Sequence, residues 1–302
     1  MEYINDIREL IGKTPLLKLK NLGIKAGVNV FAKLENQNPG GSIKDRIGLY
    51  MIEKAEREGK LKPGYTIVEA TAGNTGIGLA YAVLNKGYKL ICVVPEKFSI
   101  EKQTIMKALG TEIINTPREK GMLGAVEKAR ELLAAIENSI SMEQFENEAN
   151  PKAHYETTGP EIYEALEGQV HYFVAGAGSG GTFTGVMRYF REHKQDIIGV
   201  LADPVGSTMG GGTEGCYNIE GIGNNFIPRT MDMSLVDKVI KVSDDEAFHM
   251  VKLLALREGL IVGSSSGAAV AAALKLASTI ERGNIITVLP DRGDRYFSKN
   301  IY

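Results

Sequence analysis

Short apolar runs rich in β-branched residues alternate along the chain with longer segments of helical period. Because a strand buried on both faces is apolar at successive positions, the runs predict buried strands. These strands are Thr66–Glu69, Leu90–Val94, Glu112–Asn115, Tyr172–Ala175, Ile197–Ala202, Val239–Val242 and Ile285–Leu289. The longer segments predict helices over Asp45–Glu58, Asn74–Leu84, Ile100–Leu109, Leu123–Ile136, Thr182–His193, Asp244–Glu258 and Gly267–Ile280. The alternation favours the α/β class, with mostly parallel sheets covered by helices.

A polar stretch at residues 147–151 (NEANP) interrupts this alternation near mid-chain. The chain has 302 residues, which is enough for two lobes, although one domain also fits this length. We therefore predict an N-terminal α/β lobe over residues 1–147 and a C-terminal α/β lobe over residues 148–302. The N-terminal strands are free to cross to the other lobe, and the polar stretch alone would also suit a surface loop.

The composition and charge of the chain exclude several classes of protein. The 35 basic and 37 acidic side chains leave a net charge of −2, without the positive charge that nucleic-acid binding requires. Two cysteines, Cys92 and Cys216, can build neither a disulfide framework nor a metal cage, and the four histidines have no ligand spacing. No apolar run reaches the roughly 20 residues of a membrane span, and residues 1–6 do not begin an export signal. We expect a cytoplasmic protein that binds no nucleic acid, no membrane and no metal.

The first motif with candidate chemistry is the turn at residues 40–46 (GGSIKDR), which places Lys44 at the start of a predicted helix. The positive end of a helix disfavours a protonated amine, and only a neutral amine can bond to a carbonyl carbon. A lone lysine after such a turn is more often a solvated surface residue, so this motif by itself does not decide the function.

Three further loops each open a predicted helix. Residues 70–76 (ATAGNTG) offer amides and hydroxyls to a carboxylate, although ordinary helix capping explains them equally well. Residues 176–182 (GAGSGGT) form an amide-lined cup suited to a phosphate, or a purely structural turn. They also match the dinucleotide pattern, with Asp203 about 20 residues further on, so an NAD-dependent oxidoreductase is an alternative. Residues 263–267 (GSSSG) alone predict capping serines.

Taken together and in this order, the four loops resemble those of the cysteine synthase and cystathionine β-synthase family of fold-type II pyridoxal-phosphate enzymes. The resemblance runs essentially end to end, from residues 11–16 (IGKTPL) and Lys33–Glu35, through Asn150–Pro151 and residues 220–223 (EGIG), to Pro290–Asp291. It implies a two-lobed α/β fold like that of the tryptophan synthase β-subunit, a homodimer, and pyridoxal 5'-phosphate as cofactor.

The resemblance also implies a role for individual residues. Lys44 would hold the cofactor covalently and serve as the general base, Asn74 would bind its phenolic oxygen, and Ser265 its pyridine nitrogen. The phosphate would be bound by Gly178, Ser179, Gly180, Gly181 and Thr182. The substrate would contact Thr71, Ala72, Asn74, Thr75, Gln144 and Gly221, with Asp232 as a further candidate at the mouth of the site.

The implied reaction replaces the β-substituent of O-acetylserine, serine or cysteine with a sulfide or a thiol. It yields cysteine or cystathionine, and it releases hydrogen sulfide when cysteine is the donor. Residues 95–102 (PEKFSIEK) look more like the cystathionine β-synthase branch. Ala72 stands where the family usually has serine, and one neutral hydrogen bond is worth only about 0.5 to 1.5 kcal/mol, so this departure should retune substrate preference. A non-catalytic homologue that binds a metabolite remains an alternative, which intact Lys44, Asn74, Gln144 and Ser265 argue against.

Overall fold

The computed structural model describes residues 3–302. Residues 1 and 2, which belong to the predicted N-terminal lobe and to the segment 1–6 considered above for an export signal, lie outside the described residues. Strands and helices follow one another along most of the described chain. The strands are β1 Leu16–Leu19, β2 Val28–Lys33, β3 Thr66–Ala70, β4 Lys89–Pro95, β5 Glu112–Thr116, β6 Ser139–Ile140, β7 Tyr172–Gly176, β8 Ile198–Pro204, β9 Lys238–Val242 and β10 Gly283–Val288. The α-helices are α1 Lys44–Arg57, α2 Asn74–Val83, α3 Ile100–Ala108, α4 Gly121–Ala135, α5 Ala149–Ala153, α6 Gly159–Ala165, α7 Gly181–His193, α8 Asp244–Leu253 and α9 Ser264–Thr279.

The chain divides into two compact units. The first contains the residues up to Ile11 and Asn38–Ala149, and the second contains Gly12–Gln37 and Asn150–Tyr302. Strands β1 and β2 therefore belong to the second unit. The predicted division into lobes at residues 147 and 148 stays a prediction.

The sheet of the first unit has the order β5-β4-β3-β6, and all of its strands are parallel. Its core packs Val68 and Val93 of the sheet with Ala125 of α4. Helices α1 and α2 lie so close together that a Cβ atom on Gly48 would be 2.5 Å from the carbonyl carbon of Gly78. This contact fixes the two helices that begin with Lys44 and Asn74 against each other.

The sheet of the second unit has the order β1-β2-β10-β7-β8-β9, in which only the β1–β2 pair is antiparallel. The alanine-rich helix α9 supplies small buried side chains such as Ala268 and Ala272, and the core continues into Val174 and Val200 of the sheet. Because these side chains are short, the helix that carries Ser265 can approach the sheet closely.

The predicted α/β class with mostly parallel sheets is confirmed. Each predicted strand and helix has a counterpart, with one correction: the segment predicted as Asp244–Glu258 is α-helical only to Leu253, and a π-helical turn completes it over Leu254–Glu258. Strands β1, β2 and β6 and helices α5 and α6 were not predicted. No helix within residues 3–302 is both long and apolar enough to cross a membrane.

Candidate active site

Lys44 is the first residue of α1 and is partly buried. The turn before it is closed by Asp45, whose carboxylate accepts a hydrogen bond of 2.6 Å from the amide of Gly40. The amide of Lys44 donates to the hydroxyl of Ser42 at 3.2 Å. Gly41 has a φ of +74°, in the left-handed region that glycine adopts most readily. The turn thus sets the position of the Lys44 backbone through local bonds, as the sequence motif predicts.

The loop from Thr71 to Thr75, which we call the substrate loop after its predicted role, connects β3 to the first turn of α2. Gly73 has a φ of +134°, and a Cβ atom there would lie 2.5 Å from Cδ of Lys102. Its amide donates to Oγ1 of Thr71 at 3.0 Å. A side chain at this position would therefore be strained by the backbone and blocked by Lys102.

Two residues predicted to bind substrate meet directly in the first unit. Oγ1 of Thr75 donates a hydrogen bond of 2.7 Å to Oε1 of Gln144, and both side chains are buried. Ala72 and Asn74 lie in the substrate loop and are partly buried, and Asn74 begins α2 as predicted. The structure therefore brings Gln144, which follows β6, to a loop about 70 residues earlier in the chain.

The glycine-rich loop of the second unit, residues 177–182, connects β7 to α7. Gly180 caps α7 with a left-handed φ of +82°. A Cβ atom on Gly178 would lie 2.4 Å from the carbonyl oxygen of Gly221, so this predicted substrate residue packs against the loop. The amide of Gly223 donates to the carbonyl of Ala177 at 2.8 Å and joins the two segments. These glycines let the backbone fold into a tight turn at the start of a 13-residue helix, and the start of a helix suits a phosphate.

The side chains of this loop are held by the segment that begins the second half of the chain. Nδ2 of Asn150 donates to Oγ of Ser179 at 2.9 Å. Nε2 of His154 lies 3.2 Å from Oγ1 of Thr182, and its Nδ1 lies 2.9 Å from Oγ1 of Thr158. His154 opens a π-helical turn over His154–Thr158, a feature frequent at functional sites. The sequence motifs assigned no role to Asn150 or His154, which lie 29 and 28 residues before the loop residues that they contact.

Ser265 is the second residue of α9 and is buried. Its neighbour Ser264 accepts a hydrogen bond of 3.0 Å from the amide of Glu220, which ties the start of α9 to the segment preceding Gly221. The amide of Gly263 donates to the carbonyl of Asp291 at 3.3 Å. Ser265 thus lies on a fixed helix terminus within the second unit.

Asp232 and Asp203 have partners of their own. Asp232 caps the short 3-10 helix Met233–Leu235, accepting from the hydroxyl of Ser234 at 2.6 Å, and lies 3.7 Å from Arg188. Asp203 is only 1% exposed and forms an ion pair with Lys241. Because its carboxylate is already bound, Asp203 is not available to a ribose hydroxyl, and the NAD-dependent alternative loses its acidic residue. Within the described part of the chain, no group of three or more histidine, cysteine or acidic side chains could hold a metal ion.

Mostly parallel sheets, a glycine-rich loop at a helix start and a lysine that begins another helix are together typical of α/β enzymes that use a phosphorylated cofactor. A sequence model of the family described as "Pyridoxal-phosphate dependent enzyme" matches residues 7–291. The chain belongs to this family, and its cofactor is pyridoxal 5'-phosphate. The fold of the family, fold-type II, is the fold that the family resemblance implied.

Comparison with known proteins agrees over the whole chain. An O-acetylserine dependent cystathionine β-synthase from Bacillus subtilis (strain 168) is 54% identical over 100% of this chain and 99% of its own length. A cysteine synthase from Staphylococcus aureus (strain Mu50) is 45% identical over 99% of this chain and 97% of its own. The crystal structure of an O-acetylserine dependent cystathionine β-synthase from Helicobacter pylori has a TM-score of 0.96 at 46% identity and full coverage of both chains. That of a hydrogen sulfide-producing enzyme from Fusobacterium nucleatum has a TM-score of 0.94 at 40% identity, covering 98% of this chain and 100% of its own.

Proposed function

We propose that this enzyme replaces the β-substituent of O-acetylserine with a sulfide or thiol nucleophile, and that serine or cysteine serve as related donors. The observation that carries the proposal is the end-to-end similarity to enzymes named for these reactions, at up to 54% identity in the relatives described above. The contact between Thr75 and Gln144 supports it, because two polar side chains predicted to bind the amino acid meet in one place.

In this proposal, each residue singled out by the family resemblance has a role towards the cofactor. Lys44 would hold it covalently, Asn74 would contact its phenolic oxygen, and Ser265 would contact its pyridine nitrogen. The phosphate would be bound by Gly178, Ser179, Gly180, Gly181 and Thr182. When bound, pyridoxal phosphate supplies an electron sink that acidifies the Cα proton of an amino acid. Lys44, once released from the cofactor, would take that proton as general base and later return it.

The amino-acid carboxylate would be bound by the substrate loop and its neighbour. The amides at the start of α2 would suit an anion, and the hydroxyl groups of Thr71 and Thr75 lie in the same loop. Gln144, Ala72 and Gly221 complete the proposed contacts. Asp232 remains a candidate because its side chain is 34% exposed, but it must give up its contact with Arg188 to act on a substrate.

The relatives also indicate which donor and which acceptor, the nucleophile that replaces the β-substituent, this enzyme uses. The relatives from B. subtilis and H. pylori are named as cystathionine β-synthases that depend on O-acetylserine, and the S. aureus relative as a cysteine synthase. We therefore propose O-acetylserine as the donor, with homocysteine or sulfide as the acceptor. Release of hydrogen sulfide from cysteine is the third reaction, supported by the F. nucleatum relative.

Mass spectrometry of the products tests this proposal. We expect cystathionine from O-acetylserine and homocysteine, or cysteine from O-acetylserine and sulfide, and loss of at least the roughly 10²- to 10⁴-fold that general base catalysis supplies in Lys44→Ala. Lys60→Ala is the matched control, because the side chain of Lys60 is 66% exposed and pairs only with Glu58 among its described ion-pair partners. Absence of every product, or unchanged turnover in Lys44→Ala, would refute the proposal.

A homodimer in the cytoplasm is a further part of the proposal. Exposed apolar side chains near the N-terminus, Ile4, Ile7 and Leu10, are 47%, 39% and 47% exposed in the isolated chain, which favours their burial by a second copy. The unpaired cysteines suit a reducing compartment. Sedimentation velocity should give a dimer mass, and a monomer at micromolar concentration would contradict this part.

A further inference from the structure

Glu69 is a buried acid inside the apolar sheet of the first unit. It is the fourth residue of β3, two positions before the substrate loop, and it is only 3% exposed. Burial of a carboxylate costs free energy unless hydrogen bonds replace its water. Any aliphatic side chain would fit the apolar residues around this position. The presence of a carboxylate here therefore needs an explanation, which its hydrogen-bond partners provide.

Those partners all come from the segment that follows β6. Oε2 of Glu69 accepts a hydrogen bond of 2.8 Å from the hydroxyl of Ser141 and one of 3.0 Å from the amide of Met142. Burial raises the pKa of Glu69, and hydrogen bonds from this segment act in the opposite direction.

This segment contains a strained residue. Glu143 has a φ of +51°, a left-handed conformation that is unfavourable for a residue other than glycine. Its amide donates to the hydroxyl of Ser141 at 3.4 Å, and Ser141 in turn donates to Glu69. The bonds to Glu69 therefore help to hold the strained conformation that precedes Gln144.

This anchoring also positions Gln144. Ser141 and Met142, which bond to Glu69, lie just before Gln144 in the chain, and the side-chain oxygen of Gln144 accepts a hydrogen bond of 2.7 Å from the hydroxyl of Thr75. The contacts of Glu69 therefore hold the short segment that brings Gln144 to the substrate loop. Asn147 holds the same segment from the other side through a hydrogen bond of 2.8 Å to the carbonyl of Met142.

We infer that Glu69 is a positioning residue for substrate recognition, which touches neither substrate nor cofactor and acts by holding Gln144 against Thr75. This inference rests on the proposed function, because it takes the substrate loop and Gln144 as the site of the amino-acid carboxylate. Weaker hydrogen bonds to Glu69 should reduce the affinity for the amino acid, while binding of the cofactor in the absence of substrate stays the same.

Glu69→Gln tests the inference at nearly constant volume. The neutral carbonyl oxygen of glutamine accepts hydrogen bonds more weakly than a carboxylate, so the hold on Ser141 and Met142 loosens. We expect a rise of about tenfold in the dissociation constant of L-alanine, an unreactive amino acid whose binding changes the visible absorbance, and in KM for O-acetylserine, with kcat changed by less than about threefold. Glu56→Gln is the matched control: Glu56 lies on α1 and bonds to Lys86 and Tyr88, so both constants should stay at the wild-type values.

A double-mutant cycle separates positioning from general destabilisation. In a Gln144→Ala background, Glu69→Gln should raise the L-alanine dissociation constant by less than about twofold, because the residue through which it acts is gone. The full tenfold effect in both backgrounds, or wild-type binding by Glu69→Gln, would overturn the inference. If Glu69→Gln does not fold, Ser141→Ala removes one donor without changing charge and should raise the same constant about two- to threefold, while wild-type binding by that variant would overturn the inference.

Failure of this inference is distinguishable from failure of the proposed function. If the wild-type protein gains no visible absorbance with pyridoxal phosphate, or forms no product, the proposed function is wrong. If the wild-type protein does both and Glu69→Gln binds L-alanine as tightly as the wild type, only the role of Glu69 is wrong.

Discussion

Substitution of Gly178 by alanine should weaken cofactor binding through a single steric contact. The added Cβ atom would lie 2.4 Å from the carbonyl oxygen of Gly221, about 1 Å closer than the 3.4 Å at which ordinary contacts begin. The obstacle is a backbone atom, which cannot rotate away, so the glycine-rich loop and the segment around Gly221 must separate.

Two hydrogen bonds join these segments and would be lost or lengthened. The amide of Gly223 donates to the carbonyl of Ala177 at 2.8 Å, and Nδ2 of Asn224 donates to the carbonyl of Gly178 at 2.5 Å. Each bond is worth about 0.5 to 1.5 kcal/mol, so the separation costs about 1 to 3 kcal/mol. If this free energy is subtracted from the free energy of cofactor binding, the affinity for pyridoxal phosphate falls by about 5- to 150-fold.

Titration of the apoenzyme with pyridoxal phosphate, followed by visible absorbance, measures this effect. Gly215→Ala is the matched control, because its Cβ atom would meet only one backbone atom of Gly206, at 3.5 Å. Urea unfolding of each apoprotein shows whether the variants fold. If Gly178→Ala binds the cofactor as tightly as Gly215→Ala and the wild type, the loop does not bind the phosphate as argued.

Three further predictions concern other parts of the chain. Burial, with a contribution from the charge of Glu69, raises the pKa of Cys92 far above its usual range, so only the thiol of the exposed Cys216 should react with a chromogenic disulfide in the native protein, and both thiols after denaturation. Rapid reaction of two thiols in the native protein would contradict this. Glu161→Ala should lower the free energy of unfolding in urea by about 3 to 5 kcal/mol, because the ammonium of Lys33 loses the carboxylate that lies 2.6 Å from it, and the Lys33 side chain is only 2% exposed. A loss below about 1 kcal/mol would refute the reasoning. Burial raises the pKa of Glu69 above the usual 4.5, so its contribution to stability is present below that pH and is lost as the pH rises through the raised pKa. Urea unfolding should therefore show the wild type losing stability relative to Glu69→Gln above pH 4.5, and a difference independent of pH would contradict this.

Apolar continuity made the central strands predictable. Strands such as β4 and β8 are buried along almost their whole length, so their sequences are uninterrupted apolar runs. Strand β1 is the edge of its sheet and alternates with lysine at residue 18, and β6 has only two residues, so neither carries that signal. Strand β2 alternates buried and partly buried positions, which weakens its apolar pattern.

The candidate site was predictable where chemistry is local in sequence. Lys44 at the start of α1 and Gly180 as the cap of α7 follow from glycine-rich loops that must adopt left-handed conformations. The contacts of Glu69, Asn150 and His154 join segments about 30 to 75 residues apart, and no spacing rule within one element predicts such pairs. Gln144 entered the predictions through family resemblance, and the structure adds the physical reason for its position.

The central claim is that Lys44 carries the cofactor, and borohydride reduction followed by peptide mapping tests it most directly. Reduction makes the bond between the lysine nitrogen and the cofactor permanent, so the modified peptide identifies the lysine by mass. We predict the added mass of reduced pyridoxal phosphate on the peptide that contains Lys44, with none in Lys44→Ala treated in parallel. Modification of a different lysine in the wild-type protein, or none after loading with the cofactor, would contradict the account.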